Sequence, residues 1–185
     1  MTSATDRLRL PASADLLVVG GGITGAGIAL EAARAGASVV LVEQGDFASG
    51  TSSRSSKLVH GGLRYLAEGN LRLTREAVRE RDRLLDEAPG LVDPVGFLFT
   101  LRDGEKPGPA LVGTGLALYD LLAREGRHAR LTSDELLLRA PHVGGPGLSG
   151  AFAYADAATD DARLVLRVLH VAVNEGAVAR NYVRC

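Results

Sequence analysis

The residues best placed for chemistry near the start of the chain are glycines. Gly20, Gly22 and Gly25 lie between a short apolar run and an alanine-rich run. A first glycine there allows a tight turn, a second lets backbone approach a pyrophosphate, and a third permits close packing of helix on strand. The following helix N-terminus would stabilise phosphate charge. We predict a dinucleotide-binding turn, with a purely structural turn as the alternative, formed by Gly20, Gly21, Gly22, Ile23, Thr24 and Gly25.

An acidic residue follows this turn at a suitable distance. Glu43 ends a second apolar run, with Gln44 beside it in the predicted site. A carboxylate there would accept hydrogen bonds from the adenosine ribose hydroxyls. It favours an unphosphorylated ribose, and therefore NAD or FAD over NADP. The alternative for Glu43 is a solvated strand end.

The elements that position these residues follow from hydrophobic pattern. Residues 15–20 and 38–43 are predicted strands, and residues 24–34 are the alanine-rich helix between them. This βαβ unit predicts parallel strands and an α/β fold. Farther along, the pattern predicts helices over 70–88 and 160–175, a strand over 95–101 and a short apolar helix ending at Leu122. Shorter strands are predicted near 152–154 and 177–183.

A polar loop, residues 44–62, separates the βαβ unit from the next helix, and its end carries a family resemblance. Residues 49–66, SGTSSRSSKLVHGGLRYL, resemble the flavin-binding loop of FAD-dependent glycerol-3-phosphate dehydrogenases almost residue for residue. The part over 57–66 is highly specific, residues 154–164 match as well, and the resemblance covers about 14–185. Glu31 and Ala35 depart from the family pattern.

The resemblance implies FAD as the cofactor. It also implies a Rossmann-like FAD-binding domain of the glutathione-reductase and D-amino-acid-oxidase type. Hydroxyls and N–H groups of the loop would contact phosphate and ribitol oxygens, Lys57 would add charge near the pyrophosphate, and two glycines would let backbone lie against the isoalloxazine ring. An unspecific serine-rich surface loop is the alternative. The loop residues of the predicted site are Thr51, Ser52, Ser53, Ser56, Lys57, Leu58, His60, Gly61 and Gly62.

Three residues of this segment are implied on the substrate side of the flavin. Arg64 would contact a substrate phosphate through its guanidinium fork, and Tyr65 would hydrogen-bond a substrate oxygen. A structural ion pair is the alternative for Arg64. His60 is the candidate for catalytic proton transfer, although packing or orientation of the flavin is the favoured alternative.

The resemblance also divides the chain. It predicts a flexible N-terminus over 1–13, FAD-binding domain over 14–77 and 155–185, and the start of a substrate-binding domain over 78–154. Family members are much longer than these 185 residues. We therefore expect an incomplete FAD domain, and a fragment that is inactive alone.

The implied reaction is oxidation of sn-glycerol 3-phosphate to dihydroxyacetone phosphate, with electrons passed to a quinone, or in some relatives to oxygen. A related flavin oxidase of an amine or amino acid is one alternative, and a non-catalytic FAD-binding remnant is another.

Composition narrows the class of protein. A net charge of −1 gives no indication of nucleic acid binding. The single Cys185 excludes a disulfide within one chain, and the histidine spacing suggests no metal site. Residues 109–123 are too short to span a bilayer and are favoured as a core helix. We expect a cytoplasmic protein, with possible peripheral contact on the inner face of the cell membrane.

Overall fold

The computed structural model describes residues 10–123 and 127–185. The chain divides into two compact units. The first unit contains the residues up to Lys57 together with Asp160–Cys185, and the second unit is Leu58–Thr159. Each unit has a sheet of its own.

The helices and strands of the described residues alternate along most of the chain. In chain order they are β1 (Leu16–Val19), α1 (Ile23–Arg34), β2 (Val39–Val42), β3 (Leu58–Val59), α2 (Leu63–Ala67), α3 (Leu71–Glu87), β4 (Val92–Arg102), α4 (Pro109–Leu122), β5 (Ala129–Leu131), α5 (Ser133–Arg139), β6 (Leu148–Thr159), α6 (Asp161–Asn174) and β7 (Val178–Arg180).

The sheet of the first unit is parallel, in the order β1-β2-β7. The register pairs Leu16 with Val39 and Val40 with Val178, so the predicted βαβ unit is confirmed. Helices α1 and α6 share one core with this sheet. The face of α1 in that core consists of three alanines and Leu30, and the small alanine side chains let the helix approach closely. Every residue of β2 is buried.

The sheet of the second unit is antiparallel around β6. Strands β3, β4 and β5 all pair with β6. The β4–β6 pairing runs from Val92 opposite Thr159 to Arg102 opposite Leu148. Helix α4 contributes Val112 and Leu116 to a core with Phe152, and α5 packs against the sheet through a second small core. No helix within the described ranges has the length and apolar character needed to cross a membrane.

The predicted helices and strands are confirmed with shifted bounds, and the structure contains further elements that were not predicted. The strand predicted near 152–154 extends over Leu148–Thr159 because it gains hydrogen-bond partners along both of its edges. Strands β3 and β5 and helix α2 were not predicted, since each is only two to five residues long.

The boundaries between the compact units fall after Lys57 and after Thr159. The domain boundaries predicted from the sequence fall after residues 77 and 154. Within the predicted flexible N-terminus, residues 1–9 lie outside the described residues. The assignment of the segments to cofactor and substrate stays a prediction.

Candidate functional site

The glycine turn joins β1 to α1 in the first unit. Gly20 has a φ of +113°, a backbone conformation that residues other than glycine rarely adopt. A Cβ at Gly25 would collide with the carbonyl oxygen of Gly20, so the close approach of helix to strand requires glycine there. Gly22, the N-cap residue of α1, has no side chain to cap the helix, and the first turn of α1 has no acidic residue. The first turn of α1 therefore adds no negative charge that would oppose an anion at this N-terminus.

Glu43 lies beside this turn, immediately after β2. Its Oε2 accepts the N–H of Gly21 at 2.8 Å, and its Oε1 accepts the N–H of Gly45 at 2.7 Å. These backbone hydrogen bonds lower the pKa of the Glu43 carboxyl below its ordinary value, so the group is ionised at neutral pH. A carboxylate offers about four acceptor positions. Glu43 therefore keeps capacity for ribose hydroxyls, and Gln44 lies exposed next to it.

The serine-rich segment reaches the start of α1 through one hydroxyl. A 3₁₀ turn, Thr51–Ser53, places Ser52 so that its Oγ accepts the N–H of Ile23 at 3.0 Å. A Cβ at Gly22 would come within 3.0 Å of the same oxygen. The structure thus brings Gly22, Ile23 and Ser52 together, and their contact with a phosphate stays a prediction. Ser53 donates its hydroxyl to Gly50 O at 3.3 Å, and Ser56 is exposed.

Lys57 is engaged by an acidic residue that the sequence analysis did not single out. Its Nζ lies 2.6 Å from Asp161 Oδ1. Asp161 Oδ2 accepts the hydroxyl of Ser55 at 2.7 Å and the Ser55 N–H at 3.0 Å. Lys57 and then Ser55 hold the pKa of the Asp161 carboxyl far below its ordinary value. The ammonium charge is therefore compensated within the first unit, and contact with a pyrophosphate stays a prediction.

The missed role of Asp161 had a signal in the sequence. Two acidic residues open helix α6, but one residue suffices to cap a helix. Asp160 is that cap, and it accepts the N–H of Arg163 at 3.1 Å. The second carboxylate is therefore left for another contact, which is the loop ending in Lys57.

The candidates for the substrate side lie around the start of α2 in the second unit. Leu58 pairs with Ala158, and Gly62 precedes α2 with a φ of +78°. The His60 and Tyr65 rings are tilted, with centroids 6.4 Å apart. The structure therefore brings His60 near Tyr65 at one end of this short helix.

Arg64 forms an ion pair within the chain, which was the alternative to a substrate contact in the sequence analysis. Its Nε lies 3.5 Å from Glu68 Oε1, and both side chains are largely exposed. Its guanidinium carbon lies 5.5 Å from the centroid of the Tyr65 ring. Exposed ion pairs contribute at most about 1 kcal/mol. Glu68 therefore presents little obstacle to an anionic ligand at Arg64.

A buried polar cluster lies beneath the His60–Gly62 segment, and sequence reasoning missed it. It contains Arg81 from α3, Tyr119 from α4 and Asp156 from β6. Gly61 donates its N–H to Asp156 Oδ1 at 3.0 Å. The signal was the position of Arg81 in α3, where helical spacing places it on the same face as Val78 and Thr74.

A family model described as FAD dependent oxidoreductase matches residues 15–185. The aerobic glycerol-3-phosphate dehydrogenase of Staphylococcus saprophyticus is 43% identical over 173 residues. That match covers 92% of this chain and 31% of the relative, so the chain spans about a third of the length of such curated relatives.

Solved structures give the same result for the fold. The glycerol-3-phosphate dehydrogenase of Bacillus halodurans, complexed with FAD, superposes with a TM-score of 0.69 at 36% identity, covering 94% of this chain and 27% of that chain. The L-proline dehydrogenase of P. horikoshii superposes with a TM-score of 0.70 at 22% identity, covering 94% and 45%. The second likeness concerns the fold alone. The resemblance carried by residues 49–66, the FAD-binding α/β fold and the cofactor FAD are confirmed.

The residues present fit that cofactor. The N-terminus of α1 suits a pyrophosphate because its N-cap residue, Gly22, has no side chain in the way. The Ser52 hydroxyl lies against the first N–H of the helix, and Glu43 has acceptor capacity for a ribose. Each of these features belongs to the first unit.

Proposed function

Because the chain belongs to the family of FAD dependent oxidoreductases, we propose that its reaction is the oxidation of sn-glycerol 3-phosphate to dihydroxyacetone phosphate. The observation that carries this proposal is the 43% identity to an aerobic glycerol-3-phosphate dehydrogenase over 92% of the chain. The segment over 57–66, which is highly specific in the resemblance, supports the same substrate. When bound, FAD supplies the two-electron acceptor that alcohol oxidation needs.

The first unit would hold the dinucleotide part of the cofactor. The turn from Gly20 to Gly25 and the hydroxyl of Ser52 would bind the pyrophosphate. Glu43 would accept hydrogen bonds from the adenosine ribose. The loop residues Thr51, Ser53, Ser56 and Lys57 would contribute further polar contacts, and Gln44 would lie at the adenosine end.

The second unit would supply the substrate side. Arg64 would leave its exposed contact with Glu68 and bind the substrate phosphate, because a dianionic phosphate satisfies a guanidinium fork better than one carboxylate oxygen. Tyr65 would hydrogen-bond a substrate oxygen. His60 would either accept the hydroxyl proton or orient the flavin, and Leu58, Gly61 and Gly62 would present backbone to the ring.

The destination of the electrons is the finer part of the proposal. We infer a quinone as the acceptor and peripheral contact with the inner face of the cell membrane. Both rest on the resemblance carried by residues 49–66. A cytoplasmic location of the remaining surface belongs to the same proposal.

The test is an activity measurement on the purified chain reconstituted with FAD, using an artificial dye as the acceptor. Dye reduction that depends on glycerol 3-phosphate would support the proposed reaction and would overturn the expectation that the chain is inactive alone. Arg64→Ala should then raise the Michaelis constant for glycerol 3-phosphate at least tenfold, since one charge-assisted contact is lost. Glu68→Ala serves as the matched control, because it removes the partner of Arg64 and leaves the guanidinium in place.

Two outcomes would contradict the proposal. A flavin-loaded chain that oxidises an amino acid or an amine, and leaves glycerol 3-phosphate untouched, would favour the related oxidase. An Arg64→Ala variant with unchanged Michaelis constant and turnover would remove Arg64 from the substrate site.

A further inference from the structure

The buried polar cluster of the second unit forms a closed set of contacts around one carboxylate. Asp156 and Arg81 each have only 4% of their side chain exposed, and Arg81 Nη1 lies 3.1 Å from Asp156 Oδ1. The Tyr119 hydroxyl donates to Asp156 Oδ2 at 3.2 Å and accepts from Arg81 Nη1 at 3.0 Å. Both carboxylate oxygens therefore have partners. A buried ion pair needs such a complete set of hydrogen bonds to offset its desolvation.

A second carboxylate stabilises the charge of Arg81 from its other side. Arg81 Nε and Nη2 donate to Asp82 Oδ1 at 3.0 and 2.7 Å. Burial disfavours the charged guanidinium, but the bonds to Asp82 and Asp156 outweigh it and the pKa of Arg81 lies above its ordinary value. Burial, followed by the Asp156 charge, raises the pKa of the Tyr119 phenol. The phenol therefore stays protonated and available as a donor to Asp156.

The cluster lies directly against the backbone of the His60–Gly62 segment. Gly61 donates its N–H to Asp156 Oδ1 at 3.0 Å. A Cβ on Gly61 would collide with the Tyr119 hydroxyl and would come within 2.7 Å of Val78 Cγ2. Glycine is thus the residue that lets this segment rest on the cluster. The Gly61 N–H and the cluster are linked by a buried, charge-assisted hydrogen bond, and burial strengthens such bonds.

We propose that Asp156, supported by Arg81 and Tyr119, is a positioning residue that fixes the backbone of the His60–Gly61–Gly62 segment. Its connection with the chemistry rests on the proposed function, which places this segment against the flavin. Asp156 acts through the hydrogen bond that it accepts from the Gly61 amide. The proposal therefore concerns the orientation of His60 and Gly62, and it assigns no proton transfer to Asp156.

The experiment uses the full chain and two matched variants. Asp156→Ala removes the acceptor of the Gly61 N–H, whereas Asp82→Ala removes a carboxylate from the same guanidinium without touching Gly61. Hydrogen exchange of the Gly61 amide is measured by NMR at a temperature where circular dichroism shows each variant folded. FAD affinity is measured by titration under the same conditions.

We expect exchange at Gly61 to accelerate about tenfold or more in Asp156→Ala, because a hydrogen bond to a charged acceptor is lost. Asp82→Ala should leave Gly61 exchange within about twofold of the wild type. Asp156→Asn keeps a carbonyl acceptor and should recover part of the protection. The more protection from exchange the Gly61 amide loses in a variant, the more weakly that variant should bind FAD. Tyr119→Phe, which retains the ring packing, should show a smaller change of the same sign and replaces Asp156→Ala if that variant does not fold.

Three results would overturn the proposal. The first is unchanged exchange of the Gly61 amide in Asp156→Ala, or in Tyr119→Phe if Asp156→Ala does not fold. This result would show that Asp156 does not position the segment. Equal acceleration in Asp156→Ala and Asp82→Ala would show a general loosening of the cluster. Faster exchange with unchanged FAD affinity would separate the segment from the cofactor. A wild-type chain that binds no FAD would contradict the proposed function, while the exchange comparison would still decide whether Asp156 holds the segment.

Discussion

The two units use the same contact in different ways, since each has a carboxylate that accepts a glycine N–H. Glu43 accepts from Gly21 at 2.8 Å in the first unit, and Asp156 accepts from Gly61 at 3.0 Å in the second. Glu43 also accepts the backbone N–H of Gly45, and its side chain is half-buried. Asp156 is buried and is further engaged by Arg81 and Tyr119.

The difference in burial and partners between Glu43 and Asp156 distinguishes a residue that can bind a ligand from one that positions the backbone. An ionised carboxylate with unused acceptor positions and access to solvent can take hydrogen bonds from a ligand. A buried carboxylate that accepts from a glycine amide, an arginine and a tyrosine holds the backbone, and its burial leaves it little access to a ligand. The glycine amide in each case fixes a turn, and the remaining contacts of the carboxylate decide its second role.

The largest effect expected from this comparison concerns stability. Asp156→Ala leaves the buried Arg81 without one of its two carboxylate partners and should lower the free energy of unfolding by about 3–5 kcal/mol. Urea unfolding followed by circular dichroism measures it. Glu43→Ala, at a half-buried position, should cost about 1 kcal/mol. Equal losses for the two variants would contradict the distinction.

A smaller loss is expected when the backbone is pushed away from the cluster. Gly61→Ala introduces a methyl group against the Tyr119 hydroxyl and Val78, and it should destabilise the chain by about 1–3 kcal/mol. Combining it with Tyr119→Phe removes one of the colliding atoms. The double variant should therefore lose less stability than the sum of the two single variants, as measured by a double-mutant cycle. Strict additivity would show that Gly61 does not press on Tyr119.

In the first unit we expect the main effect of a substitution on FAD affinity. Glu43→Gln keeps the size of the side chain and removes its charge, so FAD should bind roughly tenfold more weakly because charge-assisted hydrogen bonds to the ribose are weakened. The melting temperature without FAD should fall modestly, because an amide has one acceptor oxygen for the two N–H groups of Gly21 and Gly45. Isothermal titration of both proteins measures the affinity. Equal FAD affinity in the variant would exclude Glu43 from the ribose site.

The smallest effect is a pH dependence at the Lys57–Asp161 contact, which is charged like the cluster and only partly buried. The pKa of Asp161 is lowered by Lys57 and Ser55, so its contribution to stability is present above the ordinary aspartate value of 3.8 and is lost as the pH falls below it. The wild type should melt above Asp161→Asn at neutral pH, and the gap should narrow below about pH 3.8. A gap that widens on acidification would contradict the assignment.

The first unit was predictable because its signals are local. The glycine turn, the alanine face of α1 and the acid ending β2 all lie within residues 15–43, where strand and helix periods can be recognised directly. The bounds were within one residue of those observed for both strands and for the helix between them.

The second unit was less predictable because its organisation depends on distant pairing. Arg81 meets Tyr119 across 38 residues and Asp156 across 75. Nothing local marks Asp156 as a partner, and the alanines of β6 favour a strand only weakly. The extended β6 exists because three other strands pair with it, and single-sequence patterns do not contain that information.

FAD binding by the purified chain tests the central claim most directly. Isothermal titration of the 185-residue protein with FAD should show saturable binding of one FAD per chain. Gly25→Ala, whose Cβ would collide with the Gly20 carbonyl, should abolish that binding. Absence of binding by the wild type, or equal binding by Gly25→Ala, would contradict a cofactor site built on this glycine turn.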